Sequence, residues 1–170
     1  THFTADPGIR RIEWKTRGHD HAPGLHDALL SRGFVPGETE SIMIGETRLL
    51  AADVVLPAEV SLRRITDHDD VRAMYLMQDE VYGEDLVDEF TDALTKRLGL
   101  DEGMQLWVAE VAGRMVSAGR LEPVADSDFA GIWGGVTRPE WRGRGIYRAL
   151  TAARAREALA MGKRFMQSDS

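Results

Sequence analysis

Four arginines and two glycines crowd into the stretch RPEWRGRGIYRAL, Arg138 to Leu150, of a 170-residue chain whose formal net charge is -7. Gly143 and Gly145 let the backbone take positive φ, or approach a ligand with no Cβ in the way. A strand that passes through such a turn into a helix leaves the first helical N–H groups unpaired and pointing one way. The helix dipole adds partial positive charge there, worth about 0.3–1 kcal/mol to an exposed anion. Arg142 and Arg144 add full charges. The combination is a phosphate cradle, and pyrophosphate is its natural occupant.

Two familiar cradles are excluded. The P-loop pattern G-x-x-x-x-G-K-[ST] does not occur, and the dinucleotide pattern G-x-G-x-x-G fails because Gly143-x-Gly145 is followed by Tyr147 and Arg148. Charge placement favours a small anionic ligand. Between Arg138 and Arg164 stand eight basic residues against only Glu140 and Glu157, while the rest of the chain is acidic. Nucleic acid needs a broad basic face, so it is not an expected partner.

Other function classes fall away on composition. With no cysteine there is no thiol nucleophile, disulfide or thiolate metal site. No apolar run approaches the roughly 18 residues that cross a bilayer, and no leader is visible, so no membrane partner and a cytoplasmic setting are expected. His19, Asp20, His21 and His26 lie close together, but their spacing fixes no closed ligand set, and no metal is expected.

The elements that must position the cradle follow from periodicity. An imperfect alternation over 9–16 reads as a strand, and Pro23 opens a helix that Gly33 stops. Residues 41–46 form a short strand, and 47–59 a connector. A strand over 60–65 leads through Asp67, a helix cap, into a helix over 69–82, and a second helix spans 85–98. Residues 105–111 and 115–121 pair as a hairpin around Ala112-Gly113. A third strand, 131–137, enters the cradle; a helix to about Met161 and a strand at 164–167 follow. The fold class is α/β (α+β): a mixed, mostly antiparallel central sheet with flanking helices, plus a small N-terminal strand-helix-strand segment.

That order, with Thr137-Arg138-Pro139 entering Arg142-Gly143-Arg144-Gly145-Ile146-Tyr147, resembles the GNAT superfamily of N-acetyltransferases over residues 60–170. The family loop reads [Q/R]-x-x-G-x-[G/A]; Tyr147 departs from it where glycine or alanine is usual. The resemblance implies acetyl-CoA as cosubstrate. Backbone N–H groups of Arg144 to Tyr147 would hold the pyrophosphate, with Arg142 and Gly143 shaping the turn. The strand edge at Gly135, Val136 and Thr137 would pair with pantetheine and steer the thioester carbonyl.

It implies direct transfer of an acetyl group to a primary amine, on a small molecule or peptide, in a ternary complex. An alkyl ammonium titrates near ~10, so a group must take its proton; Glu122, just past a strand, is the candidate base, ahead of Asp126 and Asp128. The competing class is a non-catalytic CoA-binding or assembly module. The expected domains are 1–56, an accessory segment, and 57–170, the CoA-binding domain without its closing C-terminal elements. The helix, Arg32-Gly33-Phe34 and strand of the first segment resemble the end of another GNAT unit. Alternatives are a homodimer contact, or closure of the domain's own sheet.

Overall fold

The computed structural model describes residues 12–83, 87–100 and 102–169. Two units divide the chain at Thr39/Glu40. Within the first, the helix expected after Pro23 is α1, Leu25–Leu30, entered from Gly24 in the left-handed region. Of the strand expected at 9–16, residues 9–11 lie outside the described residues, and 12–16 form no strand.

The second unit holds β1 (Ile42–Glu46), α2 (Thr47–Leu50), β2 (Val60–Ile65), α3 (His68–Tyr82), α4 (Val87–Leu98), β3 (Gln105–Val111), β4 (Arg114–Pro123), β5 (Phe129–Thr137), α5 (Ile146–Ala160) and β6 (Phe165–Asp169). The strands make one sheet in the order β1-β6-β5-β4-β3-β2, antiparallel throughout except for β5 with β6. The expected boundary at 56/57 therefore moves back. β1 pairs antiparallel with β6 from Ile42↔Asp169 to Glu46↔Phe165, so the early segment supplies a strand of the same sheet.

Local chemistry accounts for the element ends. Asp67 caps α3, its Oδ1 accepting from Asp70 N at 2.9 Å, and Gly83 at φ 74 ends it. The β3–β4 turn puts Ala112 at φ 48 and Gly113 at φ 79, the twist a two-residue hairpin needs. Alternation along the strands then sorts the core onto two faces. Leu106 and Val108 of β3 and Ala118 of β4 meet Val71, Met74 and Met77 of α3 and Leu94 of α4. On the opposite face Ala109 and Val116 meet Ile146 and Leu150 of α5, and Leu121 and Met166 meet Ala155 and Ala158. The small residues of α5 allow this close helix-to-sheet approach.

Arg63 on β2 forks onto Asp70 of α3, Nη1 and Nη2 each 2.6 Å from a carboxylate oxygen, and reaches Glu110 on β3 at 2.8 Å. The bonds from Arg63 hold the Asp70 carboxyl below its ordinary value of 3.8, against the opposing effect of burial. A depressed folded pKa stabilises above the unfolded value and loses that contribution as pH falls through the folded one. Asp70→Asn is thus expected to cost about 1 kcal/mol near neutrality, limited by the exposure of Arg63, and to cost less below pH 3.8. Urea midpoints measured near pH 6 and pH 3 check this; an equal loss at both would contradict it.

Candidate functional site

The glycine stretch follows β5 as a tight turn. Pro139–Trp141 forms one 3-10 turn, Arg142 is extended, and Gly143 (φ 73) and Gly145 (φ 77) both take the left-handed conformation. A Cβ on Gly143 would meet nothing within 4 Å, and one on Gly145 would reach Val54 Cγ1 only at 3.8 Å. The glycines are therefore required by backbone conformation, not by crowding. The first backbone bond closing onto the turn is Ala149 N to Gly145 O at 2.9 Å. The N–H groups of Ile146, Tyr147 and Arg148 are the orphan donors of the first helical turn, as the anion cradle requires.

The four arginines divide by role. Arg138 is buried, donating from Nε to Met115 O at 2.9 Å and from Nη1 to Glu80. That bond holds the Glu80 carboxyl below its ordinary range. Arg142 Nε donates back to Thr137 O at 3.0 Å, clamping the turn, and Arg144 lies over the Trp141 ring at 4.5 Å. Arg148 is exposed on the first turn. Arg144 Nη2 also donates to Glu140 O at 3.2 Å, so three of the four brace the turn's frame.

Among the described residues β5 pairs with β6 only over Phe129–Gly131, and from Ile132 onward its outer edge has no strand partner there. Here lie Gly135, Val136 and Thr137. Val136 is buried, and its carbonyl accepts from Ser117 Oγ at 2.6 Å, while Thr137 Oγ1 lies 2.7 Å from the same hydroxyl. The β4–β5 register slips between Ala118 and Arg120, with Gly134 at φ 59 in the bulge. The two bulge glycines look to opposite faces. Gly134's missing Cβ would meet Gln78 Nε2 of α3 at 3.3 Å; Gly135's would meet the Tyr147 ring, Cε2 at 2.6 Å and Cζ at 2.8 Å.

Tyr147 thus lays its ring on β5 where a side chain at 135 would stand, and remains 42% exposed. Beneath it runs Arg154, wholly buried, its guanidinium 5.5 Å from the ring centroid. Arg154 donates to Leu150 O, Arg120 O and Thr151 Oγ1, each at 3.2 Å, and no ion pair of Arg154 occurs among the described residues. Burial pushes this guanidinium below the ordinary arginine value, and contact with Tyr147 opposes that shift. Gly119 leaves the room for it, since a Cβ there would lie 2.7 Å from Arg154 Cζ. Residue-type patterns within α5 gave no hint of this buried cation; a basic residue amid alanines reads as surface.

Across the bulge, on the α3/α4 face, opens a cavity of about 400 Å³. Met74, Tyr75, Gln78 and Tyr82 of α3 and Phe90 of α4 form its walls; Gly119, Arg120 and Gly134 form its floor. Gln78 Nε2 donates to Gly134 O at 2.9 Å, and Tyr82 Oη to Gly135 O at 3.1 Å. Glu122 does not line it. Its oxygens accept from both Nη groups of Arg97, at 2.9 and 2.7 Å, and form an ion pair with the Arg120 guanidinium, leaving the side chain 17% exposed. The carboxylate expected to be a base is thus committed to two guanidiniums. Asp128 sits on the far loop, paired with Arg164 at 3.0 Å. Among the described residues no group of three His, Asp or Glu could hold a metal ion, and no helix is long and apolar enough to cross a membrane.

Residues 69–168, more than half of the chain, match the model of the acetyltransferase (GNAT) family. The chain belongs to that family. Solved GNAT structures share the fold at low identity. A GCN5-related N-acetyltransferase from Kribbella flavida superposes with a TM-score of 0.61 at 16% identity, over 87% of this chain and 54% of that one. The chain thus spans about half the length of that protein. A predicted acetyltransferase with acetyl-CoA from Clostridium acetobutylicum gives 0.53 at 16% identity, over 63% and 78%. An aminoglycoside acetyltransferase from an uncultured soil metagenomic sample, in complex with sisomicin, gives 0.55 at 17%, over 66% and 79%. Comparison with curated proteins gives no match. The mixed sheet with helices on both faces is the GNAT fold.

Proposed function

We propose that the chain is an N-acetyltransferase that moves an acetyl group from acetyl-CoA to a primary amine by direct attack within a ternary complex. One observation carries the reading: the opening in the sheet beside β5 has an anion cradle on the α5 face and an open cavity on the other. A long donor with a phosphate end and a thioester end needs such a passage. The first-turn N–H groups of α5, with Arg144 and Arg148, would bind the diphosphate. The unpaired edge of β5 from Ile132 to Val136 would align the pantetheine amides, with the bulge at Gly134 and Gly135 nearest the thioester.

In the transfer the amine loses one proton and its nitrogen forms the bond to the acyl carbon. The carbon–sulfur bond breaks, and the thiolate takes up a proton, so amine and thioester become amide and thiol. Donors along β5 oppose the charge that builds on the carbonyl oxygen. Glu122 serves by fixing Arg120 and Arg97; the released proton passes to water in the cavity. Residues 1–39 act as an accessory unit to a catalytic unit beginning at Glu40. A cytoplasmic setting and small-molecule amines fit this chemistry.

A second reading, a CoA-binding module without turnover, is favoured by Tyr147, whose ring lies against the same strand edge at Gly135. Calorimetric titration with acetyl-CoA and thiol release with an amine panel separate the two. Binding with acetyl-dependent thiol release is expected; binding alone selects the module, and no binding at millimolar ligand rejects both.

A further inference from the structure

We infer that the acceptor is an amine that also carries a carboxylate and an apolar side chain, of the apolar α-amino acid class, and that Arg120 binds its carboxylate. This rests on the acetyltransferase reading and adds the substrate class to it.

Three kinds of group converge on the cavity beside the bulge. The first is a cation. Arg120 lines the floor with its side chain 26% exposed, and its guanidinium is ion-paired with Glu122. Glu122 is in turn gripped at both oxygens by Arg97. The planar N–H fork of a guanidinium matches a carboxylate in a bidentate manner. Among the described lining residues it is the one charged group.

The second kind is a pair of acceptors beside the bulge. Gln78 spends one amide N–H on Gly134 O and has Oε1 as an acceptor; Tyr82 spends its proton on Gly135 O and keeps its oxygen lone pairs. Both suit an ammonium or amine N–H next to the strand edge. The third is an apolar wall, the Tyr75 and Phe90 rings stacked at 5.7 Å, with Met74 beside them. Amine, carboxylate and apolar side chain on one carbon meet these three at once. A polycation of the aminoglycoside kind would instead face Arg120 with like charge.

The carboxylate takes no part in the bond changes, so its contribution is to selection and can be read by comparing analogues that lack it. Thiol release from acetyl-CoA is measured for leucine and phenylalanine against leucinamide and phenethylamine, and against an aminoglycoside. The acids are expected to exceed their carboxylate-free counterparts by roughly 10- to 100-fold in kcat/KM, the range for one lost hydrogen-bonded charge. In Arg120→Gln that ratio falls to about one. Equal or greater rates for the carboxylate-free amines overturn the inference, as does a ratio that Arg120→Gln leaves intact. Should Arg120→Gln not fold, the acid-to-amide contrast on the unaltered chain decides alone. If no amine releases thiol, the acetyltransferase reading fails, and titration with N-acetylleucine against N-acetylleucinamide still judges the pocket: preference for the acid sustains it, and none refutes it.

Discussion

Gly145→Glu is expected to lower acetyl-CoA affinity by at least about 100-fold in calorimetric titration. Two effects act in the same direction. At φ 77 any L residue is strained, at a cost of about 1–2 kcal/mol, which tilts the turn that aims the first-turn N–H groups. The new carboxylate then stands beside the site of a diphosphate, where two like charges about 4 Å apart repel by several kcal/mol at an effective dielectric near 20. Gly145→Ala separates the terms, because it brings strain without charge. A loss of tenfold or less is expected for alanine, since Val54 and Val55 leave space for the methyl group. Unchanged affinity in Gly145→Glu would remove the cradle from the donor site.

The second large effect joins two residues far apart in sequence. Gly135→Ala forces a methyl carbon into the Tyr147 ring, 2.6 Å from Cε2, so the ring must leave β5 and uncover Arg154. Overpacking of this kind costs about 1–3 kcal/mol. Tyr147→Gly alone opens a gap, but with Gly135→Ala it removes the clash, so the double variant should recover most of the loss. Denaturant melts of the four species give the coupling energy, expected at about 1.5 kcal/mol or more. Additive losses would mean that the ring does not depend on Gly135. The same Tyr147→Gly chain carries the glycine that the family loop usually has, and acetyl-CoA should bind it more tightly than the unaltered chain.

Much of the fold was legible because short-range chemistry determines it. Asp67 before a 3.6-residue apolar period, and Ala112-Gly113 between two alternating runs, are local instructions, and the structure follows them. The glycine turn was legible for the same reason. What could not be read depends on pairing between distant segments. Nothing in Ile42–Glu46 announces that its partner is Phe165–Asp169, and so the domain boundary was placed too late. Glu122 read as a spare carboxylate because Arg97, on another element, supplies the missing cations. Tyr147 read as a departure from a motif; only the folded chain shows that its ring and the bare Gly135 fit each other.

The rim strand β1 has one further consequence, for the order of assembly. Ile44 and Gln167 are partners across roughly 120 residues, and closing a loop of that length from the open chain costs about 3 kcal/mol more than closing a hairpin. The β3–β4 turn needs only Ala112 and Gly113, so the middle of the sheet forms at low entropic cost and the rim at high cost. Once β2 and β6 are in place, the tether to β1 shrinks to residues 47–59, and most of that penalty disappears. β1, which precedes the other five strands of this sheet in the chain, is thereby the one that can dock only after the last of them.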